Sequence, residues 1–438
     1  MLCKKINMKV LVKIIFLVVV ITSGWSQQTF VPDDNFEHFL ETHDANMNVV
    51  PVGDPNSLGN GIDNDNLVTT AKIAQLTTLL IAGENMTDLT GIEDFSALEL
   101  LNCNNNQITS LNIGNNTSLK ILRANTNLLT NLDISQNFNL EVVDVSYNQI
   151  TDLDVSQNRQ LLSLSIAGNS FNNIDVSSLS NLEVLNGSDN NISQIDVSGN
   201  PALKVLFVNN NLLASLDISQ NANLEELECA GNQLTSIDVS NNPGLISMVC
   251  NNNMLSVLDV SLNPDLEALN CAGNQITALD LSHNPDLIVL FANNNQLTSL
   301  NIQHGNTSGF MSYFTTIDNP DLMCILVDDT AWSMANWPIV TDPWTNLVET
   351  DTECLALEVD KPLDESLDIY PNPLDNRLYL QLASEGTLTV YAVDGQILVK
   401  QPLRPGKNTV DVSQVPPGLL LVEISSLYGT SIKKCIKR

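Results

Sequence analysis

Positive charge is what this chain has least of. Its 438 residues hold 18 lysines and arginines against 50 aspartates and glutamates. Only six of those bases fall between residues 27 and 365, where 44 acids give a balance of −38. A body so acidic repels nucleic acid and anionic membrane and disfavours polyanionic partners in general. Histidine is scarce as well, with four in all. No nucleophile sits in a recognisable elbow, and there is no glycine-rich phosphate loop. Two carboxylates of a glycosidase type could hide among the acids. A regular chain without inserted loops is a poor place to build them. These absences argue against an enzyme and against a bound cofactor.

Long apolar runs are also missing, save one from Ile14 to Ile21. It is too short to span a bilayer, so no transmembrane span is expected in the mature protein. Lys4, Lys5, Lys9 and Lys13 precede it, and Gly24-Trp25-Ser26 follows with small residues at the cleavage-defining positions. This is the three-part pattern of a secretory signal, here residues 1–26. No cysteine follows the run, which argues against a lipid anchor.

What the chain does have is repetition. Leu224-Glu-Glu-Leu227-Glu-Cys229-Ala-Gly-Asn232-Gln-Leu234-Thr235 returns as Leu266-Glu-Ala-Leu269-Asn-Cys271-Ala-Gly-Asn274-Gln-Ile276-Thr277. The frame recurs every 21 residues from about 89 to 298. One column is asparagine throughout: Asn106, Asn127, Asn148, Asn169, Asn190, Asn211, Asn232, Asn253, Asn274 and Asn295. The pattern matches the leucine-rich-repeat signature, in which one turn cannot bury its own apolar face but a stack can. The expected fold is a β-rich leucine-rich-repeat solenoid of 21-residue turns with parallel strands. The asparagine amides should satisfy buried backbone groups where the chain turns. Ten turns at the strand spacing of about 4.8 Å make a rod on the order of 50 Å long.

Two further columns invite a sharper reading. Leu-Asp-Ile/Val-Ser segments, such as Leu132-Asp133-Ile134-Ser135, alternate apolar and polar residues and suggest a second short strand per turn. Their aspartates, Asp133 through Asp280, form one column, either a solvated hydrogen-bonded face or a row bridged by calcium. Neighbouring carboxylates about 5 Å apart in water repel by roughly 0.8 kcal/mol, which a fold tolerates. Cys103, Cys229, Cys250 and Cys271 share an inward column with Ala124, Val145 and Ile166, and read as small buried hydrophobes, with disulfides or metal ligation between adjacent turns as the sharper alternative.

The ends differ from the body. Residues 27–75 read as an N-terminal cap, with a helix starting after Pro32-Asp33-Asp34. Asp63-Asn64-Asp65 resembles a fragment of a calcium loop but lacks its glycine and terminal glutamate. The repeats occupy 76–298, and 299–354 read as a C-terminal cap with Trp332 and Trp337 in its core. Cys324 and Cys354 lie outside the repeat frame and, in an exported chain, should pair as a disulfide. Residues 355–365 read as a linker. Beyond it, Arg377–Leu382, Thr387–Tyr391 and Gly418–Ile424 suggest strands of a small β-sandwich at 366–438.

That last module resembles the type A sorting domain of the type IX secretion system of Bacteroidetes. The resemblance rests on Ile369-Tyr370-Pro371-Asn372-Pro373, Val390-Tyr391 with Gly395-Gln396, Pro417-Gly418, and the basic end with Lys433 and Lys434. Leu420 departs from the tyrosine usual after the glycine. The resemblance implies export by the type IX machinery, removal of the domain, and release or attachment at the cell surface. The repeat body resembles the secreted internalin-like proteins of the same bacteria. It implies protein interaction or adhesion, with polysaccharide binding in a secreted degradation system as the alternative. The expected ligand, protein or glycan, meets the strand face through an outward column. Arg123, Asp144, Phe207, Glu228, Val249 and Phe291 are its candidates, the apolar three in positions that stacking exposes.

Overall fold

One three-residue strand per turn is the unit of the body. The computed structural model describes residues 27–305, 311–354, 369–370, 374–382, 385–392, 396–426 and 429–438. The expected signal at 1–26 and the linker at 355–365 lie outside the described residues. The described chain forms two compact units. The first holds residues up to Leu297 with His304–Pro320 and Met334–Asp342; the second holds Thr298–Gln303, Asp321–Ser333 and Pro343–Arg438.

In the first unit, strands from Thr78–Leu80 to Ile339–Val340 form a 13-stranded sheet. Every pairing within it is parallel. Each strand buries its middle residue, as Leu122, Val143, Leu164 and Leu185 show at 0 % exposure, and leaves its two neighbours half-buried or exposed on the other face. A fully buried aliphatic side chain contributes about 1.5–3 kcal/mol, so a column of leucines is the main stabilising element of the stack. Pairing continues past the expected repeat end at 298, through Tyr313–Thr315 and Ile339–Val340. Those turns are longer than 21 residues, which is why the periodicity fades there.

The expected second strand per turn is a correction. Among the described residues it forms only late, at Ala278–Asp280 in the first unit and at Ser299–Asn301, Cys324–Leu326 and Asn346–Val348 in the second. Earlier turns spend those backbone groups elsewhere. Ser135 N donates to the Asp133 side chain, and Ile134 O accepts from Asn137 N and from the Asn158 amide.

The chain start carries a strand, Gln28–Phe30, antiparallel to Leu67–Thr69, and a helix, Asp34–Thr42. Asp33 caps that helix by accepting from Asn35 N and Phe36 N. In the second unit a disulfide joins Cys324 and Cys354. The strand pairs of its C-terminal part are antiparallel, and one isolated parallel bridge joins Leu374 to Lys437. Arg377–Leu382 pairs with Gly406–Asp411, and a four-stranded sheet ends on Gly429–Lys437. Leu378, Leu388, Val390, Val410, Val422 and Ile424 fill its core at 0 % exposure.

Candidate functional site

The strand face carries two outward columns, because residues alternate sides along a strand. The first expected column is continuous. Asn102, Arg123, Asp144, Ser165, Asn186, Phe207, Glu228, Val249, Asn270 and Phe291 stand in register, followed by Thr315. Arg123 is exposed, but Phe207, Val249 and Phe291 are half-buried. Neighbours in a parallel sheet shade one another, so the apolar members are less open than stacking alone suggests. Asp144 accepts from Ser146 N at 3.0 Å, and Glu228 accepts from the Asn209 amide.

The second column was not singled out from the sequence. It runs Leu100, Ile121, Val142, Ser163, Val184 and Val205, then Glu226, Ser247, Ala268, Val289 and Tyr313. Its first half is an aliphatic stripe broken once by serine. The signal was present as the residue one before each inward leucine. That position is unspecified in the leucine-rich-repeat signature, which concealed it. At the far end Tyr313 is 63 % exposed, and its ring stacks on Phe291 with centroids 6.3 Å apart. Phe291 is therefore half of an aromatic platform.

The remaining columns are structural. Each asparagine of the expected ladder bridges two turns. Asn232 Nδ2 donates to Val208 O at 2.9 Å and to Cys229 O at 3.0 Å, while Oδ1 accepts from Leu213 N at 3.0 Å. Asn319 continues the ladder beyond the expected last member, donating to Ala292 O and Thr316 O. A second ladder on the opposite corner was read from sequence only as turn residues. It comprises Asn116, Asn137, Asn158, Asn200, Asn221, Asn242, Asn263 and Asn284, all 0 % exposed. Each donates to carbonyls of the preceding turns, and its Oδ1 is buried without a hydrogen-bond partner.

Each aspartate from Asp133 to Asp280 accepts the backbone N–H of the serine two residues on, at 2.9–3.0 Å. Hydrogen bonds to those serines hold Asp133, Asp154, Asp175, Asp196, Asp217, Asp238 and Asp259 below the usual carboxylate range. Asp65 and Asp63 are likewise engaged, with the Asn60 amide and with His38. Among the described residues no three His, Cys, Asp or Glu side chains converge as a metal site. Cys103, Cys229, Cys250 and Cys271 are free and buried. Burial pushes the thiols of Cys103, Cys229 and Cys271 up to about 12, far from a reactive thiolate.

In the C-terminal module Tyr370 is half exposed and stacks on Tyr379 at 5.7 Å. Pro371, Asn372, Pro373 and Gly395 lie outside the described residues. Gly418 opens the strand Gly418–Ser426 at φ 143°, a value that favours glycine, and Lys433 and Lys434 lie on the last strand. Lys437 is buried and donates to Asp375 O and Asn376 Oδ1.

Thirteen stacked parallel strands, an asparagine ladder and a leucine core define a leucine-rich-repeat solenoid. The fold is similar to an internalin (InlF) from Listeria monocytogenes, at 23 % identity and TM-score 0.55, covering 75 % of this chain and 93 % of that one. It is also similar to YopM from Yersinia enterocolitica, at 23 % identity and TM-score 0.52, covering 63 % of this chain and 58 % of that one. Residues 368–438 match the family described as secretion system C-terminal sorting domain. No curated protein matches the chain. The chain thus folds as a leucine-rich-repeat solenoid and ends in a type IX sorting domain, a tail that indicates export.

Proposed function

We propose that the mature body binds a protein ligand at or near the cell surface, and that it acts by binding and not by catalysis. The strand face carries the reading: an aliphatic stripe from Leu100 to Val205 lies beside a polar column with Arg123, Asp144 and Glu228. Apolar area drives association, and the polar column selects among partners. An unidentified ligand is sought by pull-down with the mature protein. Phe207→Ser and Phe291→Ser should fold normally and weaken capture. Equal capture by both variants would place the ligand elsewhere.

One observation favours a second reading. The Phe291–Tyr313 platform offers a flat apolar surface of the kind on which sugar rings stack. Under that reading the protein is a polysaccharide-binding factor. Tyr313→Ala should then abolish signals on a glycan array while leaving protein capture unchanged.

A further inference from the structure

A second surface lies beside the strand starts, formed by two parallel columns. The nearer column is Glu99, Lys120, Glu141, Leu162, Glu183, Lys204, Glu225, Ile246 and Glu267, one per turn. It contains the same sequence of side chains twice: acid, lysine, acid, aliphatic, acid. In both copies the lysine is held by the acid before it, Lys120 by Glu99 and Lys204 by Glu183, each at 2.8 Å.

The copies differ in the column alongside. In the first copy, Asn139, Gln160 and Asn181 stand there, and Asn139 reaches across to Thr117 O at 3.0 Å. In the second, Asn223 keeps that bridge to Pro201 O at 3.0 Å, but Gly244 replaces the glutamine and Asp265 the second asparagine. A side chain at Gly244 would meet nothing within 4 Å. The result is a notch of about 540 Å³. Ala222, Gly244 and Ile246 are among its lining residues, and Ile246 is 38 % exposed. Four carboxylates also line it, those of Glu225, Asp265, Glu267 and Asp286. The one cation among the lining residues, Lys204, is already engaged by Glu183.

We propose that this notch seats a basic side chain, arginine first, from an extended segment of a protein partner. The apolar lining residues suit the aliphatic stem, and the carboxylates beside them suit the guanidinium. The −38 body steers such a segment toward it. The proposal names a partner chemistry for the binding role above but uses none of the strand-face residues, so either can fail alone.

The test titrates the mature protein with the pentapeptide Gly-Ser-Arg-Ser-Gly, capped at both ends, and with its citrulline twin of equal shape and no charge. The reporter is the Ile246 methyl resonance. The arginine peptide should shift it saturably, with citrulline at least about tenfold weaker. Gly244→Gln, which restores the residue the first copy uses, should weaken binding about tenfold or more with an unchanged melting temperature. Asp154→Asn with Asp175→Asn removes two charges that lie three and two turns away along the stack, and should leave binding within about twofold. The proposal is overturned by equal binding of citrulline, by normal binding to Gly244→Gln, or by an equal loss in the remote variant, which would mean a general field. It is also overturned if calcium chloride alone moves the methyl and the peptide does not.

Discussion

Each coil of the body turns two corners, and both are held by a column of asparagines, yet the two corners are built differently. At the first, after the strand, Asn232 uses both ends of its amide, and Oδ1 is the partner of the buried Leu213 N–H. At the second, Asn221 uses only its nitrogen, on Val197 O and Asn200 O. Those carbonyls already accept from Asn200 N and Leu203 N. The first column therefore supplies a bond nothing else supplies, while the second adds to bonds already made. The chain reflects this. From Asn106 to Asn295 the first column has no exception, whereas the second carries Leu179 between Asn158 and Asn200.

The largest expected effect is the split between Asn232→Leu and Asn221→Leu. The first leaves a buried N–H unpaired and removes two good hydrogen bonds, a loss of about 3 kcal/mol. The second removes two redundant bonds and one buried, unpartnered oxygen and adds apolar burial, a net change of no more than about 1 kcal/mol. Denaturant melts of the two variants measure the difference. Equal losses would mean that the corners are equivalent and that the second oxygen has a partner of its own.

How much of this was legible in the sequence follows from the same contrast. Asn106 to Asn295 stood out because the first corner tolerates nothing else. The second ladder was concealed by Leu179 and by Asn-Pro pairs such as Asn242-Pro243, which read as ordinary turns. The repeat period and the helix start at Asp33 were readable because each follows from local patterning. The second strand was wrongly expected because alternation in Leu132-Asp133-Ile134-Ser135 does not reveal that Asp133 takes the Ser135 N–H. On the candidate face, the column of Phe207 was readable, but the stacking of Phe291 on Tyr313 was not. The step from Val289 to its partner Tyr313 is longer than 21 residues, so the periodic frame does not align the two rings.

Acid should separate the corners next, by a collective effect smaller than that of Asn232→Leu. The second corner holds the aspartate column, and the serine hydrogen bonds depress the folded pKa values of Asp133 through Asp259. A depressed carboxylate contributes stability that is fully present above its unfolded pKa and lost as pH falls through the folded one. The melting temperature should fall as pH drops below about 4. Asn301 already caps Gln303 N at 3.0 Å, so asparagine can replace aspartate here without losing the bond. Replacing Asp133, Asp154, Asp175 and Asp196 by asparagine should flatten the acid limb. An unchanged slope would assign the acid sensitivity to other carboxylates.

The first corner has a fault of its own, and mending it should have a similar or smaller effect. The residue before each ladder asparagine is left-handed: Asn105, Asn210, Asn252 and Asn294 lie at φ 52–56°, and Gly168 at 63°. Thr126 sits there at 56°. A β-branched residue in that region costs about 1–2 kcal/mol. Thr126→Asn installs the residue that four other turns use, and it should raise stability by about 1 kcal/mol. A thermal melt with no gain would mean that the turn at Thr126 relaxes around its side chain.

The smallest expected effect is the most discriminating. Leu179→Asn completes the second ladder. The new amide can donate to Val155 O and Asn158 O, two hydrogen bonds of about 1 kcal/mol each. Against them stand the lost burial of leucine, about 2 kcal/mol, and one more unpartnered oxygen. The terms nearly cancel, and the melting midpoint should move by no more than about 1 kcal/mol in free energy. A loss of about 3 kcal/mol would show that the buried oxygens are expensive and that leucine is the better residue. A gain of that size would show that the second corner is as dependent on its amides as the first, which removes the contrast between the two. A near-zero change fits only a corner whose carbonyls are satisfied by the backbone before any asparagine side chain reaches them.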